Sequence, residues 1–373
     1  MIGQEVDANL RVWALRGIPE VETGADVGML IAHSLEASGL ALEDGDVLVI
    51  TSKIVSKALG LRVPGVASRR DVVAAETVRI VAERATSTGP TRIVEGRSGV
   101  VAAAAGVDAS NTGPGGEILL LPHRPDEVAA KIHAEIADLH PHLRHFGVIL
   151  SDTAGRPWRG GQTDFALGAH GLRVLDDYRG RVDADGRALS VTAIAVADEL
   201  AAAGDLVKRK ATGMPVALVR GAGVWVLPQE VRPERDPPEG ESTETADRWR
   251  AGAARLLRTG PGDWFALGHV EAARAALGVE PGSARSREIG IRSVNREPLE
   301  ARVRRALALA GADGADIGPK EAGGDTASAS IAVTDPYAAG RLVARLEVAL
   351  WSEDLAGAVT WTACGLTVRA WES

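Results

Sequence analysis

The chain has 373 residues, more than one hydrophobic core usually accommodates, so we expect two domains. Its 45% apolar and 25% charged residues are typical of a soluble globular protein, and its net charge of −8 argues against extensive nucleic-acid binding. The single cysteine, Cys364, excludes an internal disulfide framework. Because the N-terminus lacks an apolar signal segment and no apolar run approaches the ~18 residues of a membrane-spanning helix, we expect a cytoplasmic protein that does not bind membranes.

Up to residue 228, short apolar runs alternate with helical patterns. Three runs typical of buried strands lie at residues 46–51, 147–151 and 215–221. Residues 23–39 predict an amphipathic helix capped by Thr23 or Asp26, and residues 125–139 predict a second helix that begins with proline and acidic side chains. This alternation indicates an α/β or mixed α+β fold.

Residues 229–247 are rich in proline and charge, so they predict a linker between a first domain (1–228) and a small second domain (248–373). Beyond the linker, helical patterns lie near 247–258, 269–277, 297–310 and 336–351, and strand patterns at 328–334 and 358–371. We expect a small α+β domain, and its sequence contains no catalytic signature. Cys364 falls in the last predicted strand, where a core position is the simplest interpretation.

Two polar clusters in the first domain indicate an anion site. The stretch "RGIPEV" (16–21) is by itself an ordinary turn. Ser52 and Lys53 directly follow a predicted strand, and Lys57 lies on the same side if a helix begins there. Lysines beside such a junction suit a phosphate chain, although solvated helix lysines are the simpler alternative. The sequence contains no Walker A motif and no G-x-G-x-x-G.

A third cluster, "AAAAGVDASNTGPGGE", brings Asp108 and Asn111 into a loop rich in glycine and proline. In a fourth, "ILSDTAGRPWRGGQ", Asp152 and Thr153 follow a predicted strand. Their carboxylate and hydroxyl oxygens suit Mg²⁺ or Mn²⁺, although aspartate in a turn often only bonds its own backbone. The loop then adds Arg156 and Arg159, whose guanidinium groups can donate bidentate hydrogen bonds to phosphate or carboxylate oxygens.

Together, these clusters predict a metal-assisted site for a polyanion. The histidine cluster at residues 140–145 is better explained as a polar loop than as a zinc site, because it contains no helical histidine pair with an adjacent acid.

The clusters, in this order, resemble the coenzyme F-420 gamma-glutamyl ligase family over roughly residues 10–225. The resemblance rests on several separate motifs: "GIPEV", "GDVLVITSKIVSKA", "AAETVRIVAERA", "AAAGVDASNTGPGGEILLLP", "ILSDTAGRPWRGGQ", "VTAIAVADELAAAGDLV" and "GMPVALVRG". It implies an unusual α/β fold, a homodimer, and GTP-dependent addition of L-glutamate to the deazaflavin coenzyme precursor through an acyl phosphate. It also implies Mg²⁺ or Mn²⁺, two ions in all, and a monovalent cation.

Carried over by motif, the resemblance assigns Asp108 and Asp152 to one divalent ion and Thr153 to a second. The implied nucleotide contacts are Ile18, Pro19, Glu20, Val21, Ser52, Lys53, Lys57, Asn111, Lys208, Lys210 and Gly213. The predicted catalytic side chains are Asp152, Arg156 and Arg159.

The sequence departs from the family pattern at a few positions. Arg209 and Lys210 stand where relatives often have a glycine followed by a carboxylate or glutamine, Ser98 where a histidine is common, and Leu59 where a glutamate is common. A protonated lysine cannot ligate a metal, although it can contact phosphate directly. The shell of a second metal ion is therefore altered in this chain.

Two other interpretations concern the C-terminal region. Two-domain relatives carry a larger flavin-binding reductase domain there, so one alternative is a bifunctional or redox protein whose C-terminal region binds flavin or deazaflavin. The region is short for that fold and lacks a flavin-phosphate motif. A second alternative is a noncatalytic module that positions the coenzyme tail or shapes the dimer.

Overall fold

The computed structural model describes residues 9–109, 116–228, 252–260, 263–318 and 326–372. These residues form two compact units. The first contains the described residues of 1–76 and 96–258, and the second those of 77–95 and 259–373. This division differs from the predicted domains of residues 1–228 and 248–373, because each unit takes a segment from the other side of the predicted linker. The linker itself, 229–247, lies outside the described residues.

A five-stranded sheet forms the centre of the first unit. In spatial order, its strands are β1 (Arg11–Ala14), β12 (Val216–Arg220), β2 (Val47–Thr51), β8 (Gly147–Arg156) and β9 (Arg159–His170). β2 and β8 are parallel, and the other neighbouring pairs are antiparallel. The three predicted buried strands are confirmed as β2, β8 and β12. Their apolar runs are continuous because both faces of the sheet are covered.

Helices cover the two faces of this sheet. The helices of the first unit are α1 (Val27–Ala37), α2 (Ser52–Ala58), α3 (Arg69–Glu76), α4 (Pro125–Leu139) and α5 (Val196–Lys208). Apolar side chains of α1, α2 and α4 pack in one core cluster, and those of α5 pack in another against the opposite face. The predicted helices α1 and α4 are confirmed, and Asp26 caps α1 by accepting a 2.8 Å hydrogen bond from the Met29 backbone N–H. The first unit is therefore a mixed α/β fold.

Short strands complete the first unit: β3 (Arg62–Val63), β6 (Val101–Ala103), β7 (Ile118–Leu119), β10 (Asp176–Asp177) and β11 (Ala193–Ile194). β3 pairs with β7, and β10 with β11. After β6, Ala104 and Ala105 adopt left-handed backbone angles, with φ of 53° and 54°. Such angles are costly for residues other than glycine, and this turn leads the chain to Asp108.

Asp126, in the first turn of α4, binds the segment that follows residue 251. Its Oδ1 accepts hydrogen bonds from the backbone N–H groups of Ala169 (2.8 Å) and Ala253 (2.7 Å), and its Oδ2 accepts one from Ala254 (3.1 Å). Ala253 is buried in the core cluster of α5. The sequence predicted a helix near 247–258; residues 247–251 lie outside the described residues, and Ala253–Leu256 form a 3₁₀ turn.

The second unit is a small α+β fold. Its sheet has the order β13 (Asp316–Ile317), β14 (Thr326–Ile331), β16 (Gly365–Glu372) and β15 (Leu355–Thr362), with antiparallel neighbours. It also contains β4 (Thr77–Thr86), β5 (Gly89–Gly96), α6 (His269–Ala276), α7 (Ala284–Ile289), α8 (Leu299–Ala310) and α9 (Pro336–Ser352). No helix among the described residues of either unit is long and apolar enough to span a bilayer.

The prediction of one strand at 358–371 is wrong, because a turn divides it into β15 and β16. Cys364 lies in this turn and is exposed, so its predicted core position is also wrong. The turn escaped the sequence pattern because the two residues at its centre, Ala363 and Cys364, are small and are not turn-forming types.

We expect Gly168→Ala to destabilise the first unit by about 1–3 kcal/mol, because a methyl group on this β9 residue would approach the Pro125 carbonyl oxygen to 2.4 Å. Gly340→Ala in α9 is the control, since its methyl would meet no described atom within 4 Å and alanine favours helix by up to ~1 kcal/mol. Thermal unfolding should show a lower midpoint for Gly168→Ala and no decrease in the midpoint for Gly340→Ala. Equal midpoints would contradict the close approach.

Burial lowers the pKa of His133 to about 4, assisted by repulsion from His170. The ring stacks on Phe146 at 4.1 Å and hydrogen-bonds its carbonyl oxygen at 3.2 Å. The folded state keeps this histidine neutral down to a lower pH than the unfolded chain does, so stability should fall by about 2–3 kcal/mol as the pH falls from ~6.5 to ~4. Urea unfolding of His133→Gln should show a smaller fall over that range; an unchanged pH dependence would contradict the assignment.

Candidate functional site

A cavity of 590 Å³ opens in the first unit where β2 passes into α2. Its walls come from residues 18–21, the β2–α2 junction, the paired strands β8 and β9, and the segment after α5. The predicted nucleotide contacts in these walls are Ile18, Pro19, Glu20, Val21, Lys53, Lys57, Lys208, Lys210 and Gly213. Thr153, a predicted metal contact, lies in the same wall. The fold therefore brings together motifs separated by nearly 200 residues.

A larger cavity of 960 Å³ lies in the second unit, beside the start of α8. Its charged side chains are held in ion pairs, such as the 2.7 Å pair between Arg296 and Glu372. The 590 Å³ cavity is the better candidate site, because cationic and acidic side chains from separate motifs converge on it.

The β2–α2 junction supplies two lysines. Lys57 is buried and contacts the Glu20 carboxylate, which belongs to the "GIPEV" motif. Lys53 contacts the Asp108 carboxylate. Burial lowers the pKa of Lys53, and the negative charge of Asp152 opposes this shift. Both lysines are thus held at the cavity by acidic partners from other motifs.

Asp152, on β8, lies beside Lys53. Burial raises the pKa of its carboxyl group, while the Lys53 charge and the Thr153 backbone N–H lower it. The Ser52 hydroxyl lies 3.4 Å from Asp152 Oδ1, a long hydrogen bond. A poorly solvated carboxylate with few strong partners is well suited to bind a cation.

Asp164, on β9, is the cross-strand partner of Thr153 on β8. Its Oδ1 accepts a hydrogen bond from the Thr153 hydroxyl at 2.6 Å, and its Oδ2 accepts from Ser151 at 2.9 Å and from Lys208 at 3.0 Å. Asp164 and Lys208 are each only 4% exposed. Burial alone would raise the pKa of Asp164, but the Lys208 charge and these hydrogen bonds hold it below its usual value.

Lys210 also binds the Thr153 hydroxyl, because its Nζ donates to Thr153 Oγ1 at 2.5 Å. Between the two lysines, Arg209 ends α5 with a left-handed φ of 54°. The change of direction at Arg209 lets Lys208 and Lys210 approach the Thr153–Asp164 pair together.

The donor set fits one divalent ion. Asp108 and Asp152 both interact with Lys53, so a divalent ion held by their carboxylates would take the place of the Lys53 ammonium. Mg²⁺ commonly binds one or two carboxylates and completes its shell with water and phosphate oxygens. Among the described residues, no three or more His, Cys, Asp or Glu side chains form a group that could hold a metal. A second ion at Thr153 does not fit, because it would have to displace the Lys210 ammonium from an uncharged hydroxyl that already donates to the Asp164 carboxylate.

Two predicted catalytic residues lie away from the cavity walls. Arg156 and Arg159 pair with each other at the exposed end of the β8–β9 hairpin, beyond Thr153 and Asp164. Burial decreases along both strands toward the turn, and neither arginine lines the cavity. Their catalytic role stays a prediction. Asn111 lies outside the described residues.

The sequence interpretation missed two acidic residues of the cavity wall, Asp164 and Asp205. Asp164 had a signal, because "TDFALGA" places one carboxylate in an otherwise apolar strand pattern. Asp205 had none, since an acidic residue near the end of an amphipathic helix is usually solvated.

The arrangement defines a mixed α/β protein with a lysine- and carboxylate-lined cavity. The family model described as F420-0:Gamma-glutamyl ligase matches residues 17–221, which include every residue lining this cavity. The chain belongs to that family, as its motifs predicted.

Curated relatives agree with the family match. Proteins named Coenzyme F420:L-glutamate ligase from Halobacterium salinarum and Halorubrum lacusprofundi are 39% and 37% identical over 231 residues, covering 57% of this chain and 87% of each relative. One of the same name from Methanopyrus kandleri is 39% identical over 217 residues, covering 54% of this chain and 83% of the relative. The family match does not extend into residues 259–373 of the second unit.

Proposed function

We propose that this protein is a GTP-dependent ligase that joins L-glutamate to the deazaflavin precursor of coenzyme F420 through amide bonds. Family membership and the names of the curated relatives support glutamate ligation. The observation that carries the nucleotide dependence is the convergence of Lys53, Lys57, Lys208 and Lys210 on one cavity with acidic side chains beside them. Such a set of cations is suited to a polyphosphate.

In the proposed reaction, an oxygen of the precursor's carboxylate attacks the terminal phosphorus of GTP, and the bond to GDP breaks. The resulting acyl phosphate is then attacked by the glutamate amine. A carbon–nitrogen bond forms, the carbon–oxygen bond to phosphate breaks, and the amine loses a proton as inorganic phosphate leaves. Each step requires the reacting groups to be aligned and the phosphate charge to be neutralised.

The side chains of the cavity have distinct roles in this scheme. Lys53 and Lys210 neutralise phosphate oxygens, while Asp164 fixes the Thr153 hydroxyl and the Lys208 ammonium in place. Mg²⁺ or Mn²⁺ held by Asp108 and Asp152 would supply further charge neutralisation on the phosphates. The ordered hydrogen bonds of Asp164 reduce the reorganisation needed when phosphate binds.

The proposal includes a homodimer, as the family resemblance implies, located in the cytoplasm. Light scattering on the purified full chain would measure its mass against the 38.8 kDa of one protomer. A monomer at micromolar concentration would contradict this part of the proposal.

Mass spectrometry of the deazaflavin precursor, after incubation with protein, L-glutamate, Mn²⁺ and either GTP or ATP, tests the proposal. We expect products heavier by successive glutamyl units with GTP and none with ATP. Glutamylation by ATP alone would overturn the nucleotide assignment, and absence of product with either nucleotide, from folded protein, would overturn the function.

A further inference from the structure

Lys210 and Thr153 form the contact that decides how many divalent ions the cavity can hold. The Thr153 hydroxyl donates to Asp164 Oδ1 at 2.6 Å and accepts from Lys210 Nζ at 2.5 Å. A divalent ion binds oxygen at about 2.1 Å, so one placed on this hydroxyl would lie about 4 Å from the Lys210 ammonium. Like charges at that distance repel each other.

The two carboxylates beside Thr153 already have cationic partners. Asp164 accepts hydrogen bonds from the Thr153 hydroxyl and the Lys208 ammonium. Asp152, which interacts with the Thr153 backbone N–H, faces the Lys53 ammonium. The Lys208 ammonium is buried against Asp164 and adds a second positive charge on the same side. The balance of charge around Thr153 therefore favours an anion over a second metal ion.

The position of Lys210 is built into the backbone. Arg209 has φ of 54°, an unfavourable value for a residue with a side chain, and it directly follows the last residue of α5. The Lys208 ammonium is buried in its ion pair with Asp164, whereas the Lys210 ammonium is exposed to the cavity and binds the Thr153 hydroxyl. An exposed lysine ammonium on a flexible stem can move from the hydroxyl to a phosphate oxygen.

We propose that Lys210 replaces a second divalent ion in this cavity. Each protomer then binds one divalent ion, at Asp108 and Asp152, and the Lys210 ammonium neutralises the terminal phosphates from the Thr153 side. This inference rests on the proposed metal- and nucleotide-dependent function, and it specifies how this chain differs from a site with two metal ions.

Equilibrium dialysis of Mn²⁺ against the full-length protein tests the stoichiometry directly, with the same concentration of inorganic tripolyphosphate on both sides of the membrane. The wild-type protein is expected to retain one Mn²⁺ per protomer. Lys210→Gln removes the charge and offers an amide oxygen, so it is expected to retain two. The two Mn²⁺ ions should also broaden each other's electron paramagnetic resonance signal.

Lys210→Met is the matched control, because it removes the charge without adding a ligand oxygen. It is expected to retain one Mn²⁺ and to bind tripolyphosphate at least about tenfold more weakly than the wild type. Two Mn²⁺ ions in the wild type, or one in Lys210→Gln, would overturn the inference while leaving the proposed function standing. Absence of bound Mn²⁺ from both proteins would overturn the metal-dependent function itself.

Discussion

Asp152→Asn is expected to lower the rate of glutamylation by about 10³-fold or more, because a metal ion that stabilises phosphate charge contributes several kcal/mol to such a step. Asparagine keeps the shape of the side chain beside Ser52 and Lys53 but removes the negative charge. The measurement is the initial rate of glutamyl addition at saturating GTP and Mn²⁺, together with Mn²⁺ affinity. Both should fall, while the circular dichroism spectrum should not change.

Asp138→Asn is the matched control, since it makes the same chemical change at an exposed position of α4, away from the cavity. Its activity should equal that of the wild type. If Asp152→Asn retained activity within about threefold of this control, the assignment of Asp152 to the reaction would fail.

Asp164→Ala is expected to destabilise the first unit by about 3–5 kcal/mol, because it leaves the Lys208 ammonium buried without its partner. The two residues are each 4% exposed, and Nζ lies 3.0 Å from Oδ2. Urea unfolding should therefore show a much lower midpoint with an unchanged slope. The loss should exceed that of Lys131→Ala, which breaks the exposed pair with Glu135 and should cost less than about 1 kcal/mol.

Replacing both members of the ion pair tests whether the unpaired charge causes the loss of stability. Replacing both residues, as Asp164→Leu with Lys208→Met, removes the uncompensated charge and should recover a large part of the stability lost in Asp164→Ala. The double variant should still lack catalytic activity, because the Thr153 hydroxyl has lost its acceptor. Equal stability of the single and double variants would contradict the argument from buried charge.

Local patterns predicted the elements whose apolar residues form a continuous run or a helical stripe. β2, β8 and β12 carry continuous apolar runs because helices cover both faces of the sheet, and α1 has a recognisable cap in Asp26. The turn between β15 and β16 was missed because its centre has no turn-forming residue type. Periodicity reports burial, and it marks a turn only where the turn needs a special residue.

The motifs also indicated most of the candidate site, but not its geometry. Lys53, Lys57 and Thr153 were recognised from residue types that follow strands, and all three line the cavity. Arg156 and Arg159, recognised in the same way, lie at the end of the hairpin. A sequence motif gives the chemistry of a loop, whereas the length of the paired strands decides how far each residue lies from the cavity.

The sequence by itself determined the mixed α/β class, the family and the residue types of the proposed anion- and metal-binding site. Only the tertiary structure placed residues 77–95 in the second unit, tied the segment after residue 251 to Asp126, and joined Asp164 to Lys208 across 44 residues. It also showed that Lys210 binds Thr153 where a metal ion would have been expected. These contacts join residues far apart in the chain, so they depend on how the strands and helices pack and leave no periodic trace in the sequence.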